Sequence, residues 1–231
     1  MLDVSNLTLK YGQSQILQGV SMQAKAGKVT CIMGTNGVGK TSLLRAIAGR
    51  HPYDKGTLSL NGRALAHPSA VEAARAGIAY VPQGREIFPL MSVTENLETG
   101  FSCLPGSGHR VPDRIYDLFP VLKTMKDRRG GDLSGGQQQQ LAIARALITQ
   151  PKVLLLDEPT EGIQPNIITQ IGEVIEALRA DGEMAIVLVE QYFDFAVRLA
   201  DHFLVLNRGE VTLSGTRKEV SNDILLEKLA L

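Results

Sequence analysis

A chain of 231 residues in which 24 Lys and Arg balance 24 Asp and Glu has no global field to draw it toward nucleic acid or anionic lipid. With 44% hydrophobic residues it can bury the core of one large domain. The opening Met1-Leu-Asp-Val-Ser-Asn lacks the regions of a secretory signal, no apolar run reaches the ~18 residues that cross a bilayer, and His51, His67, His109 and His202 stand at no metal-ligand spacing.

Leu2, Val4, Leu7 and Leu9 alternate with polar residues, as in a half-buried strand. A second strand over 27–33 runs into a Gly-rich turn and an apolar-faced helix over 40–49. Cys31 lies in that strand, and with Cys103 as the only other thiol the pattern suits a reducing compartment. The segment 56–62 reads as a strand closing on an Asn-Gly turn, so the first part contains antiparallel hairpins. Residues 77–82 form another short apolar strand. From about Met91 the texture turns helical: Ile115, Leu118, Phe119 and Leu122 fall at helical spacing, and a long segment follows over 134–150. The Gly-rich stretch 102–108 is a loop. After Pro151 come a strand (153–156), a helix (165–179), a strand (185–189), a helix to Leu199, a strand (203–206) and a last hairpin at Arg208-Gly209. Such alternation predicts an α/β fold with a mostly parallel sheet covered by helices. The whole of 1–231 reads as a single domain, with 1–84 and 151–231 as its core and 85–150 as a helical lobe.

Gly34-Thr-Asn-Gly-Val-Gly-Lys-Thr41 matches G-x-x-x-x-G-K-[ST] with a strand before it and a helix after it. Gly37 and Gly39 let the backbone turn its N–H groups inward around phosphates, and the helix adds its positive end. Gly34, Asn36 and Ser42 complete the cradle, Lys40 would reach the β- and γ-phosphates, and the Thr41 hydroxyl would take a Mg²⁺ position. A chance lysine in a Gly-rich turn would not bring eight fitted positions. Four apolar residues, 153–156, then end in Asp157-Glu158, acids delivered at the C-terminal edge of a buried strand. Asp157 suits Mg²⁺, and Glu158 suits a general base acting on water. Alone, the pair could equally be an acidic first turn of a helix. Leu133-Ser-Gly-Gly-Gln137 opens the 134–150 helix: Ser134 could cap it, and Gly135 and Gly136 leave bare N–H groups at its positive end. Physics alone gives an anion site or a plain cap.

Leu-Ser-Gly-Gly-Gln between a P-loop and a Leu-Leu-Leu-Asp-Glu strand resembles the ABC ATPase signature, and the match runs the length of the chain. The resemblance implies a P-loop NTPase core with antiparallel β hairpins, ATP and Mg²⁺ as cofactors, and two subunits head to tail around two nucleotides. Ser134, Gly136 and Gln137 would then serve the partner's nucleotide. It also implies that Tyr11 stacks on adenine, where the alternative is a core strand aromatic. Gln83 would touch Mg²⁺ and water, and residues 85–90 would begin the lobe that receives a coupling helix. Glu161-Gly-Ile-Gln-Pro165 sits at the dimer-contacting loop without its commoner Ser-Ala-Leu-Asp wording. Where many relatives carry a histidine the chain has Gln191, which can donate an amide hydrogen bond to a γ-phosphate but carries no imidazolium charge.

Residues 81–89, 158–165 and 189–192 resemble ATP-binding subunits of branched-chain amino acid importers, and Glu-Gln-Tyr-Phe-Asp-Phe-Ala196 resembles the second ATP-binding subunit of bacterial urea importers. The implied role is powering import of a small polar solute, urea first and branched-chain amino acids or short amides as the alternative. The implied partners are a second ATP-binding subunit (paralogous, or a homodimer in isolation), two membrane permeases and an extracytoplasmic solute-binding protein. Its place would be cytoplasmic, peripheral on the membrane through the permeases. A DNA- or ribosome-acting ABC ATPase is the non-transport rival, but one cassette without basic insertions gives it no support and no nucleic acid partner is expected. A P-loop kinase would not need Leu-Ser-Gly-Gly-Gln. A regulatory module without turnover would not need Asp157-Glu158.

Overall fold

The computed structural model describes residues 1–230. Two sheets divide the chain. The first is antiparallel and four-stranded, in the order β2 (Ser14–Ala24), β1 (Leu2–Tyr11), β4 (Lys55–Leu60) and β5 (Arg63–Ala64). The second runs β10 (Glu210–Thr216), β9 (His202–Asn207), β3 (Val29–Met33), β8 (Ala185–Val189), β7 (Val153–Asp157) and β6 (Ile78–Val81). All its pairings are parallel except β9 with the edge strand β10.

The central strands β3, β7 and β8 are buried at every residue, which is why their sequences are apolar apart from Thr30 and the terminal Asp157. Side chains alternate between two cores. Cys31, Leu154, Leu156, Ile186 and Leu188 pack on the side of α6 (Gly135–Ile148) and α7 (Pro165–Asp181). Ile32, Val153, Leu155, Val187 and Val189 face α1 (Lys40–Ile47) and the antiparallel sheet. Truncating a central residue such as Leu155 to Ala costs about 2–5 kcal/mol, because the cavity cannot collapse from either side.

The helical reading over 115–122 needs correction. Two helices, α4 (Asp113–Leu118) and α5 (Pro120–Thr124), meet at Phe119, whose φ of −132° and ψ of 71° leave the helix. Pro120 forbids the helical region to the residue before it. Three elements had escaped the sequence reading: β2, α2 (Ala70–Ala76) and α9 (Asn222–Leu229). The alternation of β2 is interrupted by register shifts. The buried face of α2 is only Ala73, so its signal is the capping box of Ser69 and Glu72.

The lobe starts with α3 (Val93–Glu98). Its buried Asn96 accepts from the Phe88 N–H at 2.8 Å and donates to the carbonyls of Phe88, Met91 and Ser92 at 2.9, 3.2 and 2.9 Å. One side chain thus fixes the irregular 88–92 segment and leaves Phe88 and Leu90 exposed at its rim. Among the described residues no helix is long and apolar enough to cross a membrane.

Candidate functional site

A cleft of about 760 Å³ opens at the C-terminal ends of β3 and β7, with β8 between them. The loop after β3 is forced into its path by close backbone approach. A Cβ on Gly34 would lie 2.3 Å from the Leu206 carbonyl oxygen, and one on Gly39 would lie 2.6 Å from Leu17. Both glycines also have positive φ, 146° and 107°, so any other residue is strained as well as crowded. Asn36 and Gly37 are exposed at the tip of the loop, and Thr41 and Ser42 follow in the first turn of α1.

Lys40 is 4% exposed. Its ammonium donates to the carbonyls of Gly34 and Thr35 at 2.8 and 2.9 Å and lies 3.7 Å from Glu158 Oε1. Burial pulls its pKa below that of an ordinary lysine, and the Glu158 carboxylate opposes this. Beyond β7, the Thr41 hydroxyl donates to Asp157 Oδ1 at 3.1 Å and the Tyr80 hydroxyl to Oδ2 at 2.9 Å. Burial raises the Asp157 pKa, with those two hydrogen bonds acting the other way. Burial also raises the Tyr80 phenol, beside the Asp157 charge.

Glu158 adopts a φ of 48°, uncommon outside glycine, and its N–H donates to the Val189 carbonyl at 2.9 Å. Its carboxylate receives two side-chain amides: Gln191 at 2.6 Å on Oε1 and Gln83 at 3.3 Å on Oε2. The Gln191 amide also donates to Asn36 Oδ1 at 2.6 Å. Both amide hydrogens of Gln191 are therefore engaged, so contact with a phosphate requires one of them to be given up. Gln83 also donates to Glu161 at 2.7 Å, so its amide nitrogen faces the acidic loop. Tyr11 stands at the mouth of the cleft, 39% exposed, edge-on to His51 with ring centroids 4.4 Å apart. The Ser42 hydroxyl reaches its phenol oxygen only at 3.5 Å. The core alternative for Tyr11 is thereby removed.

Ser134, Gly136 and Gln137 do not line this cleft. Ser134 caps α6 in a reciprocal box: its N–H donates to Gln137 Oε1 at 2.9 Å, and the Gln137 N–H donates to Ser134 Oγ at 3.4 Å. Gly136 is buried, with space for a Cβ taken by Ile167 at 2.9 Å. Thus the capping reading of this motif holds, and the cap sits at the exposed N-terminal end of a 14-residue helix.

Some residues in or beside the cleft had not been singled out from sequence. Tyr80 holds Asp157, Arg45 lines the wall, and Thr160, on the loop that carries Glu158, donates its hydroxyl to Glu190. A tyrosine in a strand and a glutamate after one carry no spacing signal, and only the fold brings them to the acids.

Residues 17–161 match a family model described as ABC transporter. The chain is 40% identical over 217 residues to the high-affinity branched-chain amino acid transport ATP-binding protein BraG of Pseudomonas aeruginosa, across 94% of this chain and 93% of that one. It is 35% identical over 234 residues to the probable branched-chain amino acid transport ATP-binding protein LivF of Archaeoglobus fulgidus, across 100% and 98%. A solved dimeric post-hydrolysis state of an ATP-binding cassette bound to ADP and Pi superposes with a TM-score of 0.84 at 25% identity, over 94% of this chain and 99% of that one.

Proposed function

The chain belongs to the ABC transporter family as an ATP-hydrolysing importer subunit, and from that premise we propose how its residues divide the work, what it pairs with and what it helps to import. In this reading Tyr11 stacks on the adenine, and the loop of Gly34, Asn36, Gly37 and Gly39 with Lys40, Thr41 and Ser42 holds the phosphates. Lys40 exchanges its bonds to the Gly34 and Thr35 carbonyls for phosphate oxygens. Glu158 is the general base, taking a proton from the attacking water, and Gln191 orients that carboxylate and the γ-phosphate. The observation that carries the reading is the single cluster in which Lys40 ion-pairs with Glu158 and Gln191 hydrogen-bonds both Glu158 and Asn36, next to the Thr41–Asp157 pair.

The donor set fits Mg²⁺. The Thr41 hydroxyl and the Asp157 carboxylate are hard oxygen ligands 3.1 Å apart, with the Gln83 amide at the rim. Among the described residues no group of three or more His, Cys, Asp or Glu forms a metal cage, which suits an ion taken by one or two protein ligands together with phosphates. Bound there, the ion supplies charge neutralisation on the β- and γ-phosphates. The residues of this chain would hold it through Thr41 and Asp157, while Tyr80 keeps Asp157 aimed at the site.

Ser134, Gly136 and Gln137 complete the nucleotide site of a second ATP-binding subunit, either a paralogue or another copy of this chain. A copy would create two equal sites by symmetry. Residues 85–90, the exposed Phe88 and Leu90 and the adjoining cleft of about 630 Å³ lined by Arg50, Arg85 and Arg145 form the face for a permease segment. Two permeases and an extracytoplasmic solute-binding protein complete the importer, which places the chain on the inner face of the membrane. Gel filtration of Glu158→Gln with ATP and Mg²⁺ tests the pairing. A nucleotide-dependent dimer is expected if two copies pair, and a chain that stays monomeric overturns self-pairing and leaves the paralogue as the partner.

For the solute, the names of the relatives support branched-chain amino acids. The Glu-Gln-Tyr-Phe-Asp-Phe-Ala196 phrase supports urea. ATP turnover by the reconstituted importer, with its solute-binding protein and either leucine or urea, separates them. The true solute stimulates turnover, and stimulation by neither removes both.

A further inference from the structure

We infer that Glu190 is a positioning residue whose buried carboxylate rivets the loop after β7 to the loop after β8, so that Glu158 and Gln191 keep one fixed relation. This deepens the proposed function and rests on it for the roles of Glu158 and Gln191.

Glu190 directly follows β8 and is 2% exposed. A carboxylate in such a place loses its hydration on every side, a cost that only dense hydrogen bonding offsets. The two oxygens are used by different loops. Oε1 accepts from the Thr160 hydroxyl at 2.7 Å and the Thr160 N–H at 3.2 Å. Oε2 accepts from the N–H groups of Gln191 and Tyr192 at 3.0 and 3.1 Å. Among the described residues no cation pairs with it within 4.0 Å, so these donors are its compensation. Its own N–H donates to the Ile32 carbonyl at 3.3 Å, which ties the rivet to β3, the strand leading into the phosphate loop.

The geometry selects the residue type. An amide side chain has one acceptor oxygen and would point its NH₂ at the N–H groups of the other loop. A serine or threonine hydroxyl is too short to span both. Only a carboxylate accepts from Thr160 and from Gln191–Tyr192 together. With it in place, Glu158, two residues before Thr160, and Gln191, one after Glu190, meet at 2.6 Å. Neither loop opens without pulling the other. The adenine and phosphate contacts at Tyr11 and Lys40 lie on other segments, so loss of the rivet touches turnover rather than ATP affinity.

The test uses Glu190→Gln, Glu190→Asp and Thr160→Val in the full chain, with two measurements. In steady-state hydrolysis, Glu190→Gln lowers kcat by about tenfold or more while KM for ATP stays within about twofold, the signature of a misplaced reacting group. Glu190→Asp, which restores two acceptor oxygens, recovers part of kcat. In the nucleotide-free chain, amide hydrogen exchange at Thr160, Gln191 and Tyr192 accelerates together in Glu190→Gln. Thr160→Val, which keeps the Glu190 side chain, accelerates exchange in both loops to a smaller extent. The inference is overturned by a Glu190→Gln kcat within about twofold of the parent, by KM rising in step with the fall in kcat, or by exchange that changes in one loop alone. Should Glu190→Gln not fold, the exchange result for Thr160→Val decides. Exchange is read without ATP, so it separates this inference from the assignment of Glu158: brisk turnover by Glu158→Gln would remove the base and leave the rivet standing.

Discussion

In the cleft, nearly every polar side chain is already committed to another. Lys40 holds the carbonyls of its own loop, Gln191 joins Asn36 to Glu158, and Thr41 and Tyr80 both donate to Asp157. At the start of α6 the commitments are mostly local: Ser134 and Gln137 satisfy each other across one turn, and Gln138 donates to the Gly130 and Leu133 carbonyls and accepts from Arg85. Both places concentrate N–H groups at a helix N-terminus, the arrangement that favours phosphate. The first is a closed network that a ligand must enter by displacing bonds. The second is self-capped and faces outward. In the proposed function a second subunit brings the phosphate to that end, and substitutions at either place test the contrast.

The largest effect is expected inside the network. Glu158→Gln keeps the hydrogen-bonding shape but loses the base, so turnover falls by about 10²–10⁴-fold with ATP affinity nearly unchanged; single-turnover hydrolysis alongside equilibrium nucleotide binding checks this. Next comes Ser134→Ala at the start of α6. Losing the cap lowers stability by about 0.5–2 kcal/mol, a small shift in Tm. ATP-driven dimerisation and turnover drop by roughly tenfold or more, the proportion expected when a charge-assisted contact to phosphate is lost, while nucleotide binding to the monomer is retained. If the decline in turnover merely tracks the Tm shift, the motif is a cap and nothing else. Tyr11→Ala should weaken nucleotide binding by about 1–3 kcal/mol, and Tyr11→Phe should restore most of it, as titration with a fluorescent ATP analogue would reveal. The smallest effect belongs to Gln191→His. An imidazolium makes a charge-assisted bond to phosphate where the amide makes a neutral one, worth on the order of 1 kcal/mol, or roughly fivefold in rate. A rate that is unchanged or lower would mean that the bridge from Asn36 to Glu158 matters more than the charge.

The two regions also differ in how far they can be read without coordinates. The P-loop and the Asp157-Glu158 strand end are legible because backbone sterics and burial leave few residue types that work: glycine where a Cβ would strike Leu206 or Leu17, apolar residues where both faces of the sheet are covered. The α6 motif is legible only as a cap or an anion site, since a Ser-Gly-Gly helix start satisfies either demand by itself. Glu190 and Tyr80 were missed because their partners are distant in sequence, 30 residues away for Thr160 and 77 for Asp157. No periodicity records such contacts. The split of α4 from α5 is written in Pro120, whose steric demand on Phe119 overrides the apolar spacing across 115–122. Strand β2 was missed because its bulges break the two-residue period on which strand recognition depends.

The bonds from the Lys40 ammonium to the carbonyls of Gly34 and Thr35 let folding itself set the curve of the loop. Chain ordered in this way has little conformational entropy left to lose in taking up an anion.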